Sequence, residues 1–318
     1  MPTTVTLTLA HSPDPDDVFM WWPITGKIDP RQKDEEGFGV VVEPPVLDTG
    51  RYAFRAMAED IAVLNRRAIA RGDLDITAVS MFTWAHVAGH YQLTACGSSM
   101  GEGYGPKVVA KRGGAAATAR SIAVPGLKTT AYLLWRLWCE SRGESVAELH
   151  TLEMSFDRIL EAVASGTADR GLLIHQSQLT YAQLGLEQVV DLGQWWGEAT
   201  GLPLPLGGNA VRRDLDARVG PGAIGEVVAL LNASIRYSLD HREESIRYCM
   251  KFAPEINRQQ AERYIDMYVS PLTVDMGQRG ELALARLLTE GARLGLCPAV
   301  PSLEIARADG SAEGSRTV

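Results

Sequence analysis

Two glycine- and proline-rich stretches, Gly101-Glu-Gly-Tyr-Gly-Pro106 and Gly201-Leu-Pro-Leu-Pro-Leu-Gly-Gly208, constrain the fold more than any other feature of the chain. Around them, short apolar runs alternate with segments whose apolar residues recur at helical spacing, the signature of strand–helix units. Val5, Leu7 and Leu9 alternate with threonines as a first strand, and Leu74–Val79 and Gln188–Leu192 read as others. Asp60–Arg71 carries Ile61, Leu64, Ala68 and Ile69 on one helical face, and Phe156–Ser165 is a helix stopped by Gly166. Glu226–Leu239, Glu243–Lys251, Gln259–Tyr268 and Glu281–Leu294 complete a helical C-terminal part, and Ala306–Val318 reads as a polar, frayed tail. If the chain crosses between units near residues 106 and 206, the expected fold is α/β with two lobes. Residues 1–106 plus 207–318 would form a discontinuous lobe, with 107–206 inserted and a ligand cleft between them.

The charge balance narrows the function. Lys and Arg number 31 against 39 Asp and Glu, a formal charge of −8, so there is no electrostatic reason to expect nucleic acid as a partner. No Lys or Arg precedes a long apolar run at the N-terminus, and no stretch approaches a membrane span, so a cytoplasmic protein without a membrane partner is expected. The cysteines at 96, 139, 249 and 297 are scattered and include no Cys-x-x-Cys pair, which indicates neither a metal site nor a disulfide framework.

Three stretches offer chemistry. In Gly171–Tyr181, Leu172, Leu173 and Ile174 read as a buried parallel strand. His175 follows where a strand end would present a working side chain. A core histidine satisfied by a carbonyl is the plain alternative. In His11-Ser-Pro-Asp-Pro-Asp-Asp17, Ser12 and the aspartates suit the cap and first turn of a helix over Val18–Trp22. A calcium loop fails there, because Val18 and Phe19 stand where a ligand and a glycine are needed. Short strands at Val108–Ala110 and Ile122–Val124 flank a Gly/Ala-rich hairpin or loop. Pro125-Gly126 then leads to Thr129-Thr130 at the start of a helix over Ala131–Ser141. The hydroxyls and free N–H groups there would suit one carboxylate or phosphate, or simply cap the helix.

Several of these stretches together resemble the 1,4-dihydroxy-6-naphthoate synthase family of the futalosine route to menaquinone. The matches are Ser12-Pro13 with Pro15 and Asp17, Leu64-Asn65-Arg66, Gly105-Pro106, and Val124-Pro-Gly126 with Thr129-Thr130-Ala131-Tyr132. They continue through Ile174-His175, Thr180-Tyr181, Val189–Gly193 with Trp195-Trp196, and Thr200–Gly207. The resemblance implies a type II periplasmic-binding-protein fold and a cofactor-free lyase acting on cyclic dehypoxanthine futalosine, a small anionic aromatic substrate. It makes His175 the proton acceptor and implies a substrate pocket lined by Ser80 with its neighbours Ala78 and Val79, by Thr129 and Thr130, and by Ser12 and Asp14. A histidine near the ordinary value of ~6.5 would be largely neutral and ready to take a proton. A homodimer stays open.

The chain departs from the commoner pattern at Asp14 and Asp16, where Cys and Asn are usual, at Ala78 in place of lysine, and at Gln176 in place of Glu. Arg51–Ala58 reads as an insertion. Two alternatives remain: a solute-binding protein of the same fold, and a dehydratase relative acting on chorismate. The His-centred motif and the Leu-Pro-Leu-Pro-Leu stretch favour the synthase.

Overall fold

The computed structural model describes residues 4–113, 119–146, 149–310 and 312–313. The first run of elements is β1 (Val5–His11), α1 (Pro15–Thr25), β2 (Lys27–Lys33), β3 (Gly39–Glu43), β4 (Tyr52–Ala58), α2 (Ile61–Ala70), β5 (Ile76–Ser80), α3 (Met81–Val87), β6 (Tyr91–Thr94) and β7 (Ser99–Gly101). The chain then builds β8 (Lys107–Lys111), β9 (Ser121–Val124), α4 (Thr130–Ser141), β10 (His150–Glu153), α5 (Phe156–Ser165), β11 (Arg170–Leu173), β12 (Leu186–Asp191) and α6 (Leu192–Thr200). Two short 3₁₀ turns, His175–Leu179 and Tyr181–Leu184, join β11 to β12. It returns through β13 (Leu204–Arg212), α7 (Leu215–Val219), α8 (Ala223–Asp240), α9 (Arg242–Cys249), α10 (Arg258–Tyr268), α11 (Pro271–Val274), α12 (Gly277–Arg293), β14 (Ile305–Ala306) and β15 (Ala312–Glu313).

Two mixed sheets carry the molecule. One has the order β15-β14-β6-β13-β5-β1-β4 with β7 paired to β13, and the other β10-β9-β11-β8-β12. In the first, β1 runs parallel to β4 and β5, while β13 is antiparallel to β5, β6 and β7. Every strand of the second sheet falls within residues 107–191.

Several sequence expectations need correction. β11 is parallel to β9 but antiparallel to β8, so the strand before His175 sits in a mixed setting. The strands β8 and β9 form no hairpin, because β11 lies between them; residues 114–118 of their connection lie outside the described residues. The second crossing runs into a nine-residue strand, β13. Pro205 is tolerated in β13 because its pairing with the three-residue β7 shifts register between Pro205 and Gly207, where no ladder N–H is needed. Within the stretch read as an insertion, Tyr52–Ala58 forms edge strand β4, bonded along the whole of β1. Ala306 belongs to β14, so the tail begins inside the sheet; residues 311 and 314–318 lie outside the described residues.

Local chemistry explains the elements that hold the site. α1 has no solvent face: all eleven residues are buried, packed on β4, α8, α9 and α10. Trp22 Nε1 donates to Ser245 Oγ at 3.0 Å, and Ser234 Oγ donates to the Met20 carbonyl at 2.6 Å, which lock that helix to α8 and α9. Where the chain passes between sheets, the backbone is too tight for side chains. A Cβ on Gly193 would lie 2.0 Å from the Tyr104 carbonyl. α5 ends where Gly166 turns left-handed at φ +88°, the stop expected from its sequence.

The four cysteines are free and buried; burial pushes the thiols of Cys96, Cys139 and Cys249 up to about 12 and raises Cys297. A thiol reagent at pH 8 should therefore label the native protein slowly. It should find four groups once the protein is unfolded without reductant, and a count of two or none would contradict the free-thiol reading. Among the described residues, no helix is long and apolar enough to cross a membrane.

Candidate active site

A cavity lies where the two sheets face each other, the usual kind of place for a small-molecule site. It is lined from the first sheet by the β1–α1 turn (Ser12, Asp14, Asp16, Asp17), by Ala78, Val79 and Ser80 of β5, and by Leu206–Gly208 of β13. From the second come Thr129 and Thr130, Ile174, His175 and Gln178, while α10 adds Tyr264 and Tyr268. All eight residues named as site candidates from the sequence therefore line one cavity.

His175 is held in an unusual state. It is the one non-glycine residue among those described in the left-handed region, at φ +58°, where sterics disfavour most side chains. That backbone turn ends β11 and aims the imidazole across the cleft. Nδ1 lies 2.5 Å from Asp14 Oδ2, and the ring stands edge-on to Phe156 at 4.5 Å between centroids. With Nδ1 committed to Asp14, Nε2 is the nitrogen left to act. Burial works against charge on this ring, but Asp14, Asp60 and Asp16 outweigh it, and the His175 pKa is raised above 6.5. The expectation of an unperturbed imidazole is thus corrected: the carboxylates around the ring raise its basicity despite its burial. His11, by contrast, is the core histidine. Burial drives its pKa down to about 4, against a 2.7 Å bond from Nδ1 to the Ser12 carbonyl.

The Ser12–Asp17 turn is not capped as expected. Asp14, not Ser12, is the N-cap of α1, and its side chain makes no cap bond because His175 takes it. The turn is closed instead by Ser12 N–H donating to Asp17 Oδ2 at 2.8 Å and by Asp14 N–H donating to Ser12 Oγ at 3.1 Å. Burial raises Asp16 to about 6, helped by the charge of Asp14, and lifts Asp17 well above its ordinary value, helped by Asp16.

The opposite wall is rich in donors. Asn65 Nδ2 donates to Ser80 Oγ at 2.9 Å and Asn65 Oδ1 accepts from Ser80 N–H at 3.0 Å, so the serine hydroxyl hydrogen has no acceptor among the described residues. Thr129 is the N-cap of α4: its Oγ1 accepts from Tyr132 N–H and donates to the Gly126 carbonyl at 2.8 Å. Thr130 Oγ1 donates to the Leu206 carbonyl at 2.6 Å and accepts from Phe82 N–H at 3.2 Å, tying α4 to β13 and α3. Neither threonine hydrogen is therefore free for a ligand, which corrects the reading from sequence. The Thr130 and Ala131 N–H groups, in the first turn of α4, have no acceptor among the described residues.

Changing Thr130 to Val should raise the Michaelis constant about tenfold and lower the melting temperature by several degrees, because the Leu206 carbonyl and Phe82 N–H are left unpaired. Thr130→Ser should do neither. A valine variant with wild-type melting and kinetics would remove this tie from the account.

Sequence reasoning missed Gln178, Ser99, Tyr264 and Tyr268, and left Asp16 and Asp17 out of the substrate-pocket residues. The usable signal for the tyrosines is their i, i+4 spacing on one face of α10. The Gln176 side chain lies outside the described residues. Among those described, no cluster of three or more His, Cys, Asp or Glu is arranged to hold a metal.

Known proteins resemble this chain in sequence and fold. The family described as menaquinone biosynthesis matches residues 7–293. The chain is 36% identical to the 1,4-dihydroxy-6-naphthoate synthase of Thermus thermophilus over 295 residues, covering 93% of this chain and 97% of that one. It is equally similar, at 36% over 296 residues, to the synthase of Streptomyces coelicolor, covering 93% and 96%. A solved protein of Archaeoglobus fulgidus superposes with a TM-score of 0.74 at 35% identity, covering 92% of this chain and 98% of that one. The alkanesulfonate-binding protein SsuA of Xanthomonas axonopodis shares the periplasmic-binding-protein fold alone, with a TM-score of 0.63 at 13% identity over 94% and 96%. By sequence along nearly its whole length and by fold, the chain belongs to the menaquinone-biosynthesis family, as an enzyme of its 1,4-dihydroxy-6-naphthoate synthase group.

Proposed function

We propose that the chain converts cyclic dehypoxanthine futalosine to 1,4-dihydroxy-6-naphthoate without a cofactor, in the cytoplasm, with His175 as the base. The supporting observation is the Asp14–His175 pair, buried in a cavity whose far wall offers donors. The 107–206 segment would act as an inserted lobe that carries His175 to Asp14 as the cleft closes. Asp14 fixes the tautomer with the proton on Nδ1, leaving the Nε2 lone pair to take a proton beside a ketone. The C–H electron pair then passes into the enolate, whose oxygen carries the charge, and the proton rests on Nε2. As the enolate collapses, the carbon–carbon bond to a small hydroxyketone fragment breaks, its electron pair leaves with the fragment and takes the proton from Nε2, and the remaining ring becomes the aromatic product.

Such a step needs a base and a donor for the developing oxyanion, and the Ser80 hydroxyl, which lines the cavity, would serve as the second. Incubating the purified protein with the substrate in the presence of a chelator, and following the naphthoate by mass spectrometry, tests the proposal. Bound substrate with no product would favour the solute-binding alternative.

A further inference from the structure

The cavity is chemically two-ended. One wall presents donors: the Thr130 and Ala131 N–H groups and the Ser80 hydroxyl. The other, formed by the first turn of α1, the 3₁₀ turn after His175 and α10, presents acceptors. There, Asp16 Oδ2 accepts from Ser99 Oγ at 2.7 Å. Gln178, 5% exposed, has its Nε2 3.4 Å from Tyr268 Oη, while its Oε1 has no partner. Whichever way that amide is turned, one of its polar ends faces the cavity unpaired. A buried polar group left so is costly, and a ligand group that satisfies it gains that difference.

We propose that Asp16 and Gln178 take adjacent hydroxyl groups of the ligand, while the first turn of α4 takes its carboxylate. This rests on the function proposed above and orients the substrate within the site. The first turn of α4 offers N–H donors to a carboxylate and the acid-lined wall offers acceptors, so the anionic end points toward α4. Hydroxyls suit the acceptor wall because each donates to a carboxylate or amide oxygen and also accepts when Asp16 is protonated, as its value of about 6 allows near neutral pH. Tyr264 and Tyr268, with ring centroids 4.8 Å apart, present apolar faces beside these acceptors, which suits a carbon skeleton bearing hydroxyls. His175 then lies at the hydroxyl-bearing end, so the proton it removes comes from that part of the ligand rather than from the arene.

The test compares affinities by calorimetry in a His175→Asn background, where turnover is blocked. The ligands are cyclic dehypoxanthine futalosine, 2-naphthoate, which has a carboxylate but no hydroxyl, and 2-naphthylmethylamine, which carries a cation instead. Adding Gln178→Leu or Asp16→Asn should weaken the first by about tenfold or more and leave 2-naphthoate within twofold. The retained 2-naphthoate affinity shows an intact cavity, and Gln178→Met replaces the leucine variant should that one fail to fold. Unchanged affinity for the futalosine compound, equal losses for both acids, or tighter binding of the amine than of 2-naphthoate would each overturn the assignment. Wild-type protein that binds the futalosine compound without releasing product sinks the functional reading alone, since the variants still report on the hydroxyl contacts. Failure of the protein to bind it at all sinks both.

Discussion

Replacing His175 by asparagine lowers kcat by about two to four orders of magnitude while the Michaelis constant changes far less. Asparagine tolerates the left-handed backbone required at φ +58° and can still donate to Asp14, so the site should keep its shape. What it cannot do is accept a proton at useful pH. The wild-type rate should therefore carry an acid limb that the variant lacks. Because Asp14 and its neighbours raise the histidine above 6.5, kcat/KM should fall as pH drops through a value above that figure. The same shift enters stability with the opposite trend. A raised folded-state pKa contributes stability that is fully present below 6.5 and lost as pH rises through the folded value, so the ligand-free protein should melt lower above that window. A variant within tenfold of wild type, with its acid limb intact, would return His175 to a structural role.

Changing Asp14 to asparagine should cost about tenfold to a hundredfold in kcat, less than loss of the imidazole itself, because an amide can also hold the ring in the unproductive tautomer. The discriminating readout is the pH profile. Without the carboxylate, burial dominates and the histidine falls, so the acid limb should move to lower pH than in wild type. A loss of rate with an unmoved limb would mean that Asp14 acts on the substrate or the fold rather than on His175. A limb that moves upward would contradict the electrostatic account altogether.

The fold was legible where a local pattern decides structure. α5 was bounded correctly because its apolar stripe ends on a glycine that can turn left-handed, and α8 to α10 and α12 were recognised from their periodicity. α3 escaped because all but one of its seven residues are buried, which erases the polar face that marks a helix. β13 was read as a crossing because Pro205, Gly207 and Gly208 normally end strands, and only the irregular partner β7 makes room for them. Within the site, the position after a strand end pointed to His175, and the family resemblance pointed to Ser80. The pairing of His175 with Asp14 joins segments far apart in sequence, so no local pattern carries it. The roles of Thr129 and Thr130 turned on where their hydroxyl hydrogens point, which depends on carbonyls of Gly126 and Leu206.

A helix with no solvent face also sets an order on how this protein is made. α1 leaves the ribosome early with Phe19, Met20, Trp21 and Trp22 in need of cover. Its partners in α8, α9 and α10 span residues 223–268, so the last of them is synthesised roughly 240 residues later. At about 5–20 residues per second, those aromatic side chains wait some 10–50 s for their native neighbours. Asp14, Asp16 and Asp17, on the first turn of the same helix, are placed only when that docking occurs. The acidic wall of the cavity is therefore among the last parts of the molecule to form, and a nascent chain stalled before α10 would expose a tryptophan-rich helix to chaperones and to aggregation.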